Sequence, residues 1–368
     1  LYNGGTMIHI GLLESLASIG LCLTYIFSGY IADIIHKNKI LTIMGYSIST
    51  ISKSFLLLPF NIINIYIFRF LDRIGKGIRT APRDSIISLS TSLKERGKYF
   101  GIHRTMDTIG AIIGILLIFI ILYTLGENQS TYKLAFIIAL IASIIGTILL
   151  FKVSDKNTNY TQKSADLFSL FRDKDLKKIA TFIFIFNLSQ ISTIFFLIYS
   201  QQIGITLLLI PAIYLLLNFF YAISAIPFGI FCDVKSPLQP LRISVSLFLV
   251  FILSLILLPP VPYLIPLQFI IYGLYLGAYD VSIRTLITSY SKKNNLSTNI
   301  GSAKFIESIS VIIANIFAGF IWNYYGAAPV FTISSIFSII GLAILYLVKI
   351  RNKSINYKLK PQYFRFYR

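Results

Sequence analysis

Eleven long apolar stretches, separated mostly by short polar breaks, constrain this chain more than any other feature. A helix that crosses a bilayer needs about 20 mostly apolar residues. Stretches of that kind cover residues 8–33, 40–58, 62–90, 99–124, 132–151, 179–200, 205–232, 241–258, 263–288, 299–322 and 329–348. Breaks such as Leu58-Pro59-Phe60-Asn61 and Pro259-Pro260-Val261-Pro262 separate them. With 56% hydrophobic and 13% charged residues, the chain carries roughly half the charge of a soluble protein of its length. The surplus requires lipid as solvent. The expected fold is an all-α polytopic membrane protein with the bilayer as its surroundings.

The formal charge of +19 raises the possibility of nucleic-acid binding, but the positions of the charges exclude it. The loops alternate between two sides. One set holds Lys37 and Lys39; Lys94, Arg96 and Lys98; seven basic residues in 152–178; Lys235 and Arg242; Lys292 and Lys293; and the tail from Lys349 to Arg368. The other set holds little beyond Lys133. Basic loops remain in the cytoplasm, so the expectation is a multi-pass plasma-membrane protein with a cytoplasmic C-terminus. Cys22 and Cys232 lie in apolar runs and read as buried thiols, and the three histidines have no metal-ligand spacing. No cofactor or metal is expected.

Positions 200 residues apart match in kind. Gly29-Tyr30-Ile31-Ala32-Asp33 corresponds to Gly229-Ile230-Phe231-Cys232-Asp233, Gly77 to Gly277 and Gly101 to Gly301. Arg104 and Asp107 correspond to Lys304 and Glu307. The offset spans six helices, so the two copies run in the same direction. The second copy has six stretches and the first five, so a further helix is expected before Leu1, and the visible ones count as helices 2 to 12. The expected organisation is an N-terminal bundle (1–151), a basic inter-bundle loop (152–178), a C-terminal bundle (179–348) and a basic tail (349–368).

Several strings carry a family resemblance. Gly29-x-x-x-Asp33 followed by Lys37 and Lys39 is similar to the loop signature between helices 2 and 3 of the major facilitator superfamily, with Ile34 and His36 departing from it. Arg69-x-x-Asp72-Arg73-x-Gly75-Lys76-Gly77-Ile78-Arg79-x-x-Pro82-Arg83-Asp84 resembles its helix 4 signature. Glu95-Arg96-Gly97 with Phe100-Gly101 resembles the turn into helix 5, and Ala318-Gly319-Phe320-Ile321-Trp322 with Gly326 the end of helix 11. The resemblance implies two six-helix bundles with pseudo-twofold symmetry, rocking about a central cavity lined by helices 1, 4, 7 and 10. It also implies a monomeric permease that carries a small solute by alternating access, coupled to protons as symporter or antiporter. The loop signature points to efflux.

The chemistry is concentrated in the third stretch. Arg69, Asp72, Arg73, Lys76, Arg79, Arg83 and Asp84 occupy an arc of roughly 140° at about 100° per residue. A charge facing lipid at mid-membrane costs about 3 kcal/mol on the mildest scale, so this stripe must face water or partners. Five bases against two acids make the wall net positive, which favours an organic-anion substrate, whereas a neutral drug exporter needs fewer fixed charges. Asp280 and Arg284 lie one turn apart on the symmetry-related stretch. Arg104 with Asp107 and Lys304 with Glu307 read either as local ion pairs or as coupling carboxylates with basic neighbours. Arg83, Asp84 and Asp33 are expected to form one cytoplasmic gate network, together with Gly29, Lys37, Lys39, Gly229 and Asp233. Glu14 and Lys53 are lone charges, each a proton site or a structural hydrogen-bonder, and His103 reads as a helix-end residue. An enzyme would need a polar cluster at a membrane edge, and a channel would need a pore ring. Neither is present, and a non-transporting sensor would have no use for so many buried charges.

Overall fold

A computed structural model describes residues 6–58, 62–126, 128–154 and 165–347. Those residues are almost wholly helical, with no strand among them. In chain order the helices are α1 (Met7–Ile35), α2 (Asn38–Ser54), α3 (Ile62–Ser90), α4 (Arg96–Leu125), α5 (Gln129–Leu149), α6 (Ser169–Arg172) and α7 (Lys174–Asn187). They continue with α8 (Thr193–Gln202), α9 (Ile210–Val234), α10 (Leu238–Leu257), α11 (Ile265–Tyr290), α12 (Leu296–Tyr325) and α13 (Ala327–Leu347). A helix of 29 residues such as α1 or α3 extends about 43 Å, enough to cross a bilayer with its headgroups. Among the described residues, nine helical segments are long and apolar enough to span. α3 falls outside that set although it is equally long, because its charges depress its hydropathy.

Two expectations are corrected. The stretch 179–200 is not one helix. α7 stops at Asn187, the chain turns through residues 188–192, and α8 begins after Ser192. The residues there favour local bonds over the helical ladder. Asn187 Nδ2 and Ser189 Oγ donate to the carbonyls of Ile183 and Phe186, and Ser192 Oγ accepts from the Ile194 amide. The inter-bundle segment is also more than a loop, because α6 lies in it and Leu170 is fully buried. Ser169 Oγ donates to Asn299 Oδ1 at 2.6 Å, tying it to α12. The basic tail lies outside the described residues.

The packing reproduces the 200-residue repeat. α1 packs on α3 as α9 packs on α11. A Cβ on Gly77 would strike Thr24, and one on Gly277 would strike Ser224; both pairs are related by the same offset. Gly126 and Gly326 end α4 and α12 with φ of 76° and 82°, a backbone that only glycine adopts without strain. The large contacts between the two copies join α1 to α12 and α4 to α9. Phe186, Phe248, Phe251, Tyr272 and Tyr275 form an aromatic core in the second copy. In the first copy, no described residue of α4 beyond Thr108 is buried, and α5 exposes a row of isoleucines that includes Ile137, Ile141 and Ile148. Such surfaces suit hydrocarbon rather than water.

Candidate functional site

The ends of α1 and α9 meet the starts of α12 and α4, and two carboxylates close the junction. Asp33, at the end of α1, accepts from the amides of Ser297 (3.2 Å) and Thr298 (2.7 Å) and from Thr298 Oγ1 (2.7 Å). Asp233, at the end of α9, accepts from the amides of Gly97 and Lys98, both at 2.8 Å. Each carboxylate caps the positive end of a helix from the other copy. The two caps are related by the same offset of 200 residues. Gly29 and Gly229 permit the close approach, since a Cβ on either would strike the backbone of Ser297 or Gly97. Lys37 is exposed and Lys39 Nζ donates to the Phe151 carbonyl, so neither bonds the Asp33 cap. Arg96, read from sequence as a loop charge, is buried. Its guanidinium donates to the carbonyls of Ser88 (3.0 Å) and Thr288 (2.8 Å), a pair of symmetry-related acceptors at the ends of α3 and α11. The sequence signal was there, in the Glu95-Arg96-Gly97 turn, but nothing in it gives the direction of the side chain.

Above this closure lies a zigzag of ion pairs. Arg83 pairs with Asp84 (2.9 Å), Asp84 with Arg284 (3.3 Å) and Arg284 with Asp280 (3.1 Å). Asp280 pairs with Arg104 (2.6 Å) and Arg104 with Asp107 (3.0 Å). The zigzag joins α3, α11 and α4 and so bridges the two copies. Lys304 and Glu307 form their own pair on α12 at 2.8 Å. The expected grouping of Asp33 with Arg83 and Asp84 is therefore corrected. Asp33 belongs to the helix cap, and Arg83 and Asp84 belong to the zigzag, because Asp84 faces Arg284. His103 lies inside α4 and not at its end, with its Nδ1 buried and without a hydrogen-bond partner among the described residues.

Two cavities meet at the centre. One, of about 510 Å³, is lined by Tyr25, Tyr46, Asp72, Lys76, Arg79, Thr80, Arg83, Arg104, Asp107, Tyr221, Asp280, Arg284, Lys304 and Glu307. The other, of about 350 Å³, is walled by Tyr272, Tyr275 and Tyr279 of α11, Glu14 of α1 and the α7–α8 break. They share Tyr221, Asp280 and Glu307 as wall residues, so the two lie side by side. Most predicted charges do converge here. Arg69 and Arg73 are the exceptions. They do not line either cavity, because the lining turns of α3 begin only at Asp72. Glycines 75 and 77 permit close packing: α3 runs unbroken through them, and a Cβ on either would strike Ser49 or Thr24.

The central space is electrostatically uneven. Arg83, Arg104, Arg284 and Lys304 all have carboxylate partners. Among the described residues, Lys76 and Arg79 have none. Arg79 instead lies over the Tyr46 ring at 4.4 Å and donates to Ser49 Oγ. Sequence reasoning missed Tyr25, Tyr46 and Tyr221, because a tyrosine in an apolar run carries no sign of where it points. No group of described His, Cys, Asp and Glu residues is placed to hold a metal, and both cysteines are buried free thiols.

Two repeated helix sets closed at one end over a charged central cavity define a polytopic carrier. The family model of the Major Facilitator Superfamily matches residues 3–314 and again 179–363. An uncharacterised MFS-type transporter of Methanocaldococcus jannaschii is 32% identical over 357 residues, covering 94% of this chain and 87% of that protein. The fold is similar to that of the human organic anion transporter MFSD10 (TETRAN), with a TM-score of 0.75 at 12% identity, over 92% of this chain and 84% of that one. It is also similar to that of the Escherichia coli fucose:proton symporter, with a TM-score of 0.67 at 14% identity and 93% coverage of both. The chain belongs to the major facilitator superfamily and is a multi-pass membrane transporter of a small molecule, not an enzyme.

Proposed function

We propose that this protein is a secondary transporter that carries a small organic anion by alternating access, coupled to protons. The observation that carries the reading is the pair Lys76 and Arg79, two cations in the central cavity without a carboxylate partner. An anionic solute would supply the missing charge and displace little else. That one structural neighbour is an organic anion transporter and another a fucose:proton symporter agrees with this reading. The bundles 1–151 and 179–348 would rock as units about the cavity, with the Asp33 and Asp233 caps breaking as the basic side opens. Parting of Asp280 from Arg104 and Arg284 would loosen the link between the copies. The basic loops set the cytoplasmic side in a plasma membrane, the protein works as a monomer, and the loop signature favours export.

The test uses the full protein in proteoliposomes, with internal pH and solute content recorded across a panel of organic anions, neutral sugars and lipophilic cations. Anion-driven proton flux is expected. Lys76→Gln removes a charge-assisted contact worth about 1.5–3 kcal/mol, so KM for the anion should rise roughly ten- to hundredfold. If folded protein moves only neutral or cationic solutes, the reading fails.

A further inference from the structure

The two cavities are the same place in the two copies, filled differently. α3 lines one with Asp72, Lys76 and Arg79, and α11 lines the other with Tyr272, Leu276 and Tyr279 at the positions 200 residues on. The charges of the first wall have been replaced by aromatic and aliphatic groups in the second. The shared wall is self-neutralised. Asp280 is held by Arg104 and Arg284, and Glu307 by Lys304. Among the described residues, the lining charges without an ion pair therefore lie at the two ends.

At the α3 end those charges are Lys76 and Arg79, against Asp72. Asp72 is within electrostatic reach of Lys53 as well as Arg79, so the end stays net positive. At the α11 end the unpaired charge is Glu14. Its Oε2 accepts from Ser192 Oγ at 3.0 Å, and among the described residues it makes no ion pair. Of the three tyrosine hydroxyls lining this chamber, Tyr275 donates to Gln190 Oε1, Tyr279 accepts from Asn187 Nδ2 and Tyr272 pairs with Thr193 Oγ1, so none of these bonds goes to Glu14. The three tyrosines form a fixed wall, with Tyr272 and Tyr275 stacked at 5.8 Å. A half-buried carboxylate with one neutral donor, and no cation beside it among the described residues, is an incomplete arrangement.

We infer that the substrate is a small zwitterion, its carboxylate or phosphate against Lys76 and Arg79 and its ammonium group against Glu14. Such a molecule completes both ends at once and leaves the paired wall undisturbed. The inference rests on the anion reading and adds the second contact to it.

The experiment is binding to the purified full protein, followed by thermal stabilisation, with three probe series of matched chain length: ω-amino carboxylates, n-alkyl carboxylates and n-alkylamines. The expected result is that ω-amino carboxylates of one preferred length bind roughly ten- to hundredfold tighter than the carboxylate of that length, the worth of one charge-assisted contact. Glu14→Gln keeps an acceptor for Ser192 Oγ and should erase that advantage while alkyl carboxylates still bind. Glu14→Asp should restore it with the preferred length moved by one methylene. Equal binding of zwitterions and carboxylates overturns the inference and leaves the anion reading standing. So does a Glu14→Gln variant that keeps the zwitterion advantage and changes only the pH dependence, which would make Glu14 a proton site. If amines bind best, or no probe stabilises the folded protein, the inference and the anion reading fall together.

Discussion

Replacing Asp33 with asparagine should open the basic side, and the structure fixes the size of the effect. The carboxylate accepts from two amides at the start of α12 and from Thr298 Oγ1, and only 6% of Asp33 is exposed. Asparagine retains an acceptor but loses the charge. A charge at a partly buried helix terminus is worth up to about 2 kcal/mol, and hydrogen bonds to an ion are roughly twice as strong as neutral ones. The combined loss is about 2–3 kcal/mol, or a factor of about 30–150 in the balance between closed and open forms. The protein carries its own reporter. Cys232 is 3% exposed and lies where α9 meets α4, so that a Cβ on Gly97 would come within 2.9 Å of its own Cβ. When α4 leaves α9, the thiol meets water. Maleimide labelling of Cys232 in membranes should therefore accelerate about 30–150-fold in Asp33→Asn. Asp233→Asn, which loses a cap of two bonds, should give a smaller acceleration. Unchanged labelling in both variants, with folding intact, would refute the idea that these caps hold the closed form.

The zigzag can be tested in the same membranes. Asp84→Asn leaves Arg83 without a carboxylate and Arg284 with Asp280 alone, and should destabilise the fold by about 3–5 kcal/mol, read as a fall in thermal midpoint. Asp84→Arg with Arg284→Asp should recover only part of it, since Arg284 also serves Asp280. Arg69→Gln, outside the cavity, should change KM less than twofold in the transport assay in which Lys76→Gln raises it. An equal effect of both would place the anion contact elsewhere on α3.

Much of this was legible in the sequence because membrane folds are read from length and hydropathy, and because the repeat could be checked position by position. Gly29, Asp33, Gly229 and Asp233, matched as strings in the sequence, make equivalent contacts with helix ends of the opposite copy. The Arg104–Asp107 and Lys304–Glu307 pairs form as their spacing requires. What failed was everything set by contacts between distant helices. Helical phase places Arg69 and Arg73 on the same stripe as Lys76, but it does not say where along α3 the cavity begins. The break in α7–α8 was hidden because Leu188 and Ile191 carry the apolar pattern through Ser189, Gln190 and Ser192, and no Gly or Pro marks the turn. The partners of Asp33 and Asp84 in the opposite copy lie more than 190 residues away, and no local pattern encodes them. Glu14 looked like a lone charge because its one partner, Ser192, belongs to that hidden break.

The repeat also dictates which charges can be kept in both copies. A residue that touches its own symmetry mate lies on the pseudo-twofold axis. Asp84 and Arg284 do so, at 3.3 Å. Two like charges there would repel by about 5 kcal/mol at an effective dielectric of 20, so the axis forces opposite signs. Positions away from the axis, such as Asp33 and Asp233, keep the same residue because each meets something other than its mate. Arg96 obeys the same rule in another way. It reaches both the Ser88 and the Thr288 carbonyl from one slot on the axis, and only one arginine fits; its mate, Leu296, is apolar and buried. If symmetry governs the slot, the arginine can be supplied from either copy. Arg96→Leu loses two bonds from a charged donor and should destabilise the closed form by about 3–5 kcal/mol, read as faster Cys232 labelling. Adding Leu296→Arg to that variant should slow the labelling again by at least tenfold. A double variant that labels as fast as Arg96→Leu alone would show that the slot is specific to α4 and that the axis does not govern it.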